Sequence, residues 1–221
     1  MDNQEEKNNS VEVPNAKNEI VSNKTTPKPK SIWRELIEFI VLAVIIVVPF
    51  RIFIAQPFLV SGPSMDPTFD NGNYLIVDEI SYRFEELKRG EVIIFKFPTQ
   101  LTRDLIKRII GLPGETVILD GETIKIVNSE NPNGFLLNQD FIQDKNKMSD
   151  EKREIKLASD EYFVMGDNRL VSSDSRSWGP LKKNLIIGRP LFRLYPFSRI
   201  GLFPGDESDS IGRASTTPST N

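Results

Sequence analysis

The chain has 221 residues, no histidine, no cysteine and a formal net charge of −3. That length holds one medium domain with extensions, and so mild a charge gives no footing for a nucleic-acid binder. The missing histidine removes a Ser-His-Asp triad and any His-ligated metal, and the missing cysteine removes thiol nucleophiles, disulfides and thiolate zinc sites, so an enzyme built on this chain moves protons with Lys, Asp, Glu or Tyr.

Residues 1–30 are rich in Asn, Glu, Lys, Ser and Pro and are expected to be a disordered tail. Residues 31–55 follow as the most apolar segment, with only Glu38 and Arg51 charged between Leu36 and Ala55. Twenty helical residues span about 30 Å, the thickness of a bilayer core. The unbroken run Phe39–Phe50 by itself also suits a signal-peptide core or a buried helix. The terminal charges that can snorkel, the long polar lead and the absence of a small-x-small cleavage pattern favour a retained transmembrane anchor. Lys24, Lys28, Lys30 and Arg34 precede it closely and Arg51 alone follows, so the N-terminus is expected in the cytoplasm and everything after Gln56 outside.

Residues 56–203 read as short strands rich in β-branched and aromatic residues: Tyr74–Val77, Val92–Phe95, Leu105–Ile110 and Glu161–Met165. Val117–Leu119 and Thr123–Ile126 flank Asp120-Gly121, a hairpin signal. No helical periodicity of useful length appears, and the expectation is a mostly β, antiparallel domain with a small accessory β region. Residues 204–221, rich in Ser, Thr, Gly and Asp, are expected to be a second disordered tail.

Three polar segments stand out. Ser61-Gly62-Pro63-Ser64-Met65-Asp66-Pro67-Thr68 is either an ordinary turn or a shaped loop that exposes a hydroxyl and aims backbone N–H groups at an oxyanion. Lys107 shares one strand face with Leu105 and Ile109. It is either an edge-strand lysine reaching solvent or a desolvated amine able to take a proton from a serine. Gly166-Asp167-Asn168-Arg169 and Ser172–Gly179 form either a surface loop or a polar cluster in which Asp174 pairs with Arg176 and Ser172 holds a lysine amine.

Taken together and in order, these segments resemble type I signal peptidases of bacteria. Ser64-Met65-x-Pro67-Thr68 with Leu75-Ile76-Val77 is similar to the family's nucleophile region. Lys88–Lys96 is similar to its next strand, and Ile106–Glu115 to its general-base segment. Gly166–Arg169 followed by Ser172-x-Asp174-Ser175-Arg176-x-Trp178-Gly179 is similar to its last signature. The resemblance, from about Leu36 to Phe203, implies a membrane-bound endopeptidase that cleaves signal peptides from exported preproteins after Ala-x-Ala sites, without cofactor or metal. It implies Ser64 as nucleophile, Lys107 as base, Ser172 as the residue orienting the amine, and Asp174 with Arg176 as the ion pair behind the site. Phe58, Val60, Phe69 and Ile106 match positions lining shallow S1 and S3 pockets. Two departures are visible. Gly62 stands where some members have a serine oxyanion donor, so backbone N–H groups at Ser64 and Gly62 are expected in that role. Leu170-Val171 stands where Asp-Asn is usual. The implied partners are preproteins and membrane lipid; the host is the cell membrane, or a thylakoid membrane if the organism is photosynthetic. Two rivals remain at this stage: a non-catalytic anchored β scaffold and another kind of Ser-Lys hydrolase.

Overall fold

The computed structural model describes residues 32–53, 55–143 and 152–211, with 47–53 and Ala55 as backbone alone. The expected tail 1–30 lies outside the described residues, as does 212–221. The chain divides into two units, residues 1–41 and 42–221. Helix α1 (Ile32–Phe53) forms where the apolar segment predicts it, with Glu35 in the first turn complementing the positive end of the helix dipole. Among the described residues, no helix is long and apolar enough to cross a membrane.

The rest is antiparallel β. In chain order the strands are β1 (Ala55–Leu59), β2 (Tyr74–Asp78), β3 (Val92–Phe97), β4 (Gln100–Gly111), β5 (Thr116–Asp120), β6 (Thr123–Val127), β7 (Phe135–Leu136), β8 (Lys152–Lys156), β9 (Glu161–Met165), β10 (Leu181–Lys182), β11 (Ile186–Tyr195) and β12 (Gly201–Leu202). Also described are two single-turn helices, α2 (Ser175–Trp178) and α3 (Ser208–Ile211), and 3-10 turns at Ser81–Arg83, Lys183–Leu185 and Phe197–Arg199. The larger sheet is ordered β1-β2-β11-β3-β4-β9-β10, with β12 beside β11; the smaller is β7-β6-β5-β8. The smaller sheet is the accessory β region. Its hairpin pairs Asp120 with Thr123, so the loop is Gly121-Glu122, one residue later than Asp-Gly implies, with Gly121 at φ +60.

β4 positions the site. It lies between β3 and β9, and its residues feed three apolar clusters. Ile106 packs with Val60, Met65, Leu75 and Ile94. Ile109 packs with Ile93, Phe95 and Val164. Ile110 packs with Val117, Ile126 and Phe163 from both sheets. Each such buried side chain contributes about 1.5–3 kcal/mol by leaving water. A polar residue placed among them must find its partners inside the protein.

The C-terminal stretch departs from the expected tail at 204. Residues 204–211 are described and packed: the Glu207 N–H donates to the Gly90 carbonyl, and Ile211 is fully buried among Ile110, Val117 and Phe163. A side chain at Gly90, which sits at φ +91, would collide with the Glu207 backbone. One isoleucine in a polar stretch is too small a signal for composition to reveal.

Candidate active site

Lys107 pairs with β3 on one side of β4, and the ladder to β9 on the other side begins one residue later, at Arg108. The lysine stands opposite Ile93 and is 2% exposed, which excludes the edge-strand reading. Its Nζ donates to Ser64 Oγ at 2.7 Å and to the Ile106 carbonyl at 2.7 Å. Burial, which strips hydration from the ammonium, is the largest influence on this amine. The carboxylates of Asp174 and Asp167 oppose it and Arg103 adds to it, leaving a pKa of about 8 against an ordinary 10.5.

Ser64 sits in a loop pinned from three directions. The Val60 N–H donates to the Asn73 carbonyl, the Gly72 N–H to the Val60 carbonyl, and the Asn168 N–H to the Ser64 carbonyl. Met65, fully buried next to Ser64, fixes the loop from below. The Gly62 N–H donates to Asn71 Oδ1 at 3.0 Å, with Gly62 at φ +92. This corrects the expectation that Gly62 offers a donor to an oxyanion, since its N–H is already engaged. Pro63 has no N–H. The Ser64 N–H has no acceptor among the described residues and is the donor the loop leaves available.

The segment after β9 is a buried network rather than a surface loop. Asp174 is fully buried and caps α2. Its Oδ1 accepts from Arg176 Nε at 2.8 Å, and its Oδ2 from Arg176 Nη2 at 2.8 Å and from the Gly166 N–H at 3.0 Å. The expected Asp174–Arg176 pair is thus bidentate, and it ties α2 to the end of β9. Ser172 Oγ is buried without a hydrogen-bond partner, so the expected bond to the lysine amine is not formed. The hydroxyl packs closely on the end of β9: a side chain at Gly166 would collide with both Ser172 Oγ and the Ser64 carbonyl.

A second buried pair escaped the sequence reading. Arg108 is fully buried, and its Nε and Nη2 donate to Asp167 Oδ1 and Oδ2 at 2.8 and 2.6 Å. Its Nη1 donates to the carbonyls of Gly90 and Gly205. Thr68 Oγ1 donates to Asp167 Oδ2 at 2.5 Å, joining the Ser64 loop to the end of β9. The signal was present: Lys107-Arg108 puts adjacent cations on opposite faces of an apolar strand, and each face then needs its own carboxylate.

A cleft of about 310 Å³ opens over the pair, and Phe58, Ser64, Ile106 and Lys107 line it. Of the four residues expected to line pockets, Phe58 and Ile106 are thus on the wall of this cleft. Val60 and Phe69 are not; both are buried in the cluster beneath the loop, and Arg193 covers the Phe69 ring at 4.7 Å. They shape the floor from behind.

The family model described as signal peptidase, peptidase S26, matches residues 33–195. The chain is 34% identical over 191 residues to the probable signal peptidase I-2 of Synechocystis sp., covering 84% of each chain. It is 37% identical over 183 residues to signal peptidase I of Leptolyngbya laminosa, covering 79% of this chain and 86% of that one. To signal peptidase I T of Bacillus subtilis it is 36% identical over 187 residues, covering 80% of this chain and 93% of the other.

Proposed function

The chain belongs to the signal peptidase family, peptidase S26, and from that premise we propose that it is a serine endopeptidase that removes signal peptides from preproteins, with Ser64 as nucleophile and Lys107 as general base. The observation that carries the assignment of roles is the 2.7 Å contact between Lys107 Nζ and Ser64 Oγ at the floor of an open cleft. A histidine-free chain needs another base, and a lysine with a pKa of about 8 is neutral often enough to serve.

With the amine neutral the contact reverses, and the Ser64 O–H donates to Nζ. Ser64 Oγ attacks the carbonyl carbon of the scissile peptide bond as its proton passes to Lys107. The Ser64 N–H stabilises the oxyanion. Collapse of the tetrahedral intermediate breaks the C–N bond, and Lys107 returns the proton to the leaving amine. Water, deprotonated by the same amine, then hydrolyses the acyl-enzyme. Asp174–Arg176 and Arg108–Asp167 hold the two sides of this arrangement, and Ser172, a buried hydroxyl without a partner of its own, is the residue assigned to orienting the amine. Phe58 and Ile106 flank the places for small residues before the cleaved bond.

In this reading α1 anchors the enzyme to a membrane, N-terminus in the cytoplasm and cleft outside. Its described apolar side chains, Ile32, Trp33, Ile37 and Phe39 among them, are exposed, which lipid would satisfy. A site held at that surface meets substrates already confined to it, so weak recognition of an extended Ala-x-Ala segment suffices. The test is incubation of the detergent-solubilised protein with a preprotein, then N-terminal sequencing of the product. Cleavage after Ala-x-Ala that is lost in Ser64→Ala and kept in Ser61→Ala is expected. Normal cleavage by Ser64→Ala would overturn the mechanism.

A further inference from the structure

The loop after β9 departs from the family pattern at Leu170-Val171, and the mechanism makes no use of either residue. Both side chains are apolar and outward, Leu170 at 61% and Val171 at 57% exposure. The loop that presents them is fixed at both ends. Before them, buried Arg169 donates through Nε to the Gly166 carbonyl and through Nη1 to Gln139 Oε1, while its own carbonyl accepts from Arg176 Nη2. After them come the buried Ser172 hydroxyl and fully buried Asp174. Two adjacent apolar side chains thus stand in water on a held tip, where covering them is favourable.

The position of Val171 says what covers it. β9 is antiparallel to β4 and their pairing ends at Met165 opposite Arg108, so the chain leaves β9 at the end where β4 carries Lys107 and Leu105. Val171 accordingly walls the same cleft as Phe58, Ser64, Leu105 and Ile106. An extended peptide in that cleft sends alternate side chains to opposite faces. If the residues one and three before the cleaved bond point at the floor, beside Ile106 and Phe58, the residue between them points at the rim. We propose that Val171, extended by its exposed neighbour Leu170, forms an apolar rim that selects this middle residue, so that the enzyme favours apolar x over polar x in Ala-x-Ala. The inference rests on the peptidase reading above.

A rim contact covers part of one side chain and is made alike in the bound substrate and the transition state. The preference should therefore be modest, about fivefold, and should reside in KM. The test compares kcat and KM of the full chain in detergent on two peptides differing only at x, Leu or Gln, beside a preprotein control. The parent should favour Leu through KM. Leu170→Asp with Val171→Asn should bring the ratio near one, and Val171→Asn alone should bring it part of the way, with thermal melts checking that both variants remain folded. A parent that treats the peptides equally, a preference that lies in kcat, or a ratio that survives in the folded double variant overturns the rim assignment alone. A parent that cleaves neither peptide nor the preprotein overturns the peptidase reading itself, and the rim assignment with it.

Discussion

The proposed mechanism concentrates the chemistry in the Lys107 amine, and the lowered pKa of that amine has two consequences. Catalysis needs the neutral form. With a pKa of about 8, roughly a tenth of the amine is neutral at pH 7, so kcat/KM should rise with pH through 8 and show no step near 6.5. Folding responds to the charged form. Between about 8 and the unfolded value of 10.5 the unfolded chain binds more protons, so stability rises with pH across that window. Below pH 8 the buried charge costs on the order of 3 kcal/mol. Lys107→Met keeps the apolar stem and removes the amine. It should be inactive, no less stable than the parent at pH 7, and flat in stability between pH 8 and 10. Thermal melts across pH, beside the parent's pH–rate profile on an Ala-x-Ala peptide, decide the matter: residual activity in the Met variant, or a parent profile that falls from pH 6 to 8, would remove Lys107 from the role of base. This residue was legible in the sequence, since a lysine between Leu105 and Ile109 has an apolar face to share. The burial of Val60 and Phe69 was not, because a motif can place a residue near a pocket without saying from which side.

At the scale of elements, α2 and the Ser64 loop are held by carboxylates in two different ways. Asp174 caps α2, pairs with Arg176 and also bears on Lys107, whose protonated form its charge favours. Asp174→Asn keeps an acceptor for the cap and removes the charge, so the amine should lose its proton more easily. The midpoint of the pH–rate profile should move to lower pH, along with a lower melting temperature from the unpaired Arg176. An unmoved midpoint would show that Asp174 acts on structure alone. Thr68→Val removes the hydroxyl that joins the nucleophile loop to Asp167 at nearly constant volume, and should cost about 1–2 kcal/mol in chemical denaturation. Most elements were readable from pattern: β2, β3, β4, β5, β6 and β9 lie where β-branched runs predict them. β11 was missed because Gly188 and Pro190 interrupt it, and the register shifts at both places show how the strand admits them. β1 was missed because Pro57 disguises it, which an edge position tolerates.

For the whole molecule, topology is the testable statement. With residues 1–30 in the cytoplasm, protease added to intact spheroplasts should spare an N-terminal tag and cut beyond Gln56; loss of the tag would reverse the orientation. The packed stretch 204–211 belongs at this scale too. Arg108, the neighbour of Lys107, reaches 97 residues along the chain for the Gly205 carbonyl, whereas Ser64 and Lys107 are only 43 apart. A chain emerging from its N-terminus therefore has Ser64 and Lys107 both made long before Arg108 has all its acceptors or Ile211 fills the core between the sheets. The fully supported site is a late product of synthesis, formed only after Ile211 is free to fold. A copy whose synthesis has not yet passed Ile211 consequently lacks that support.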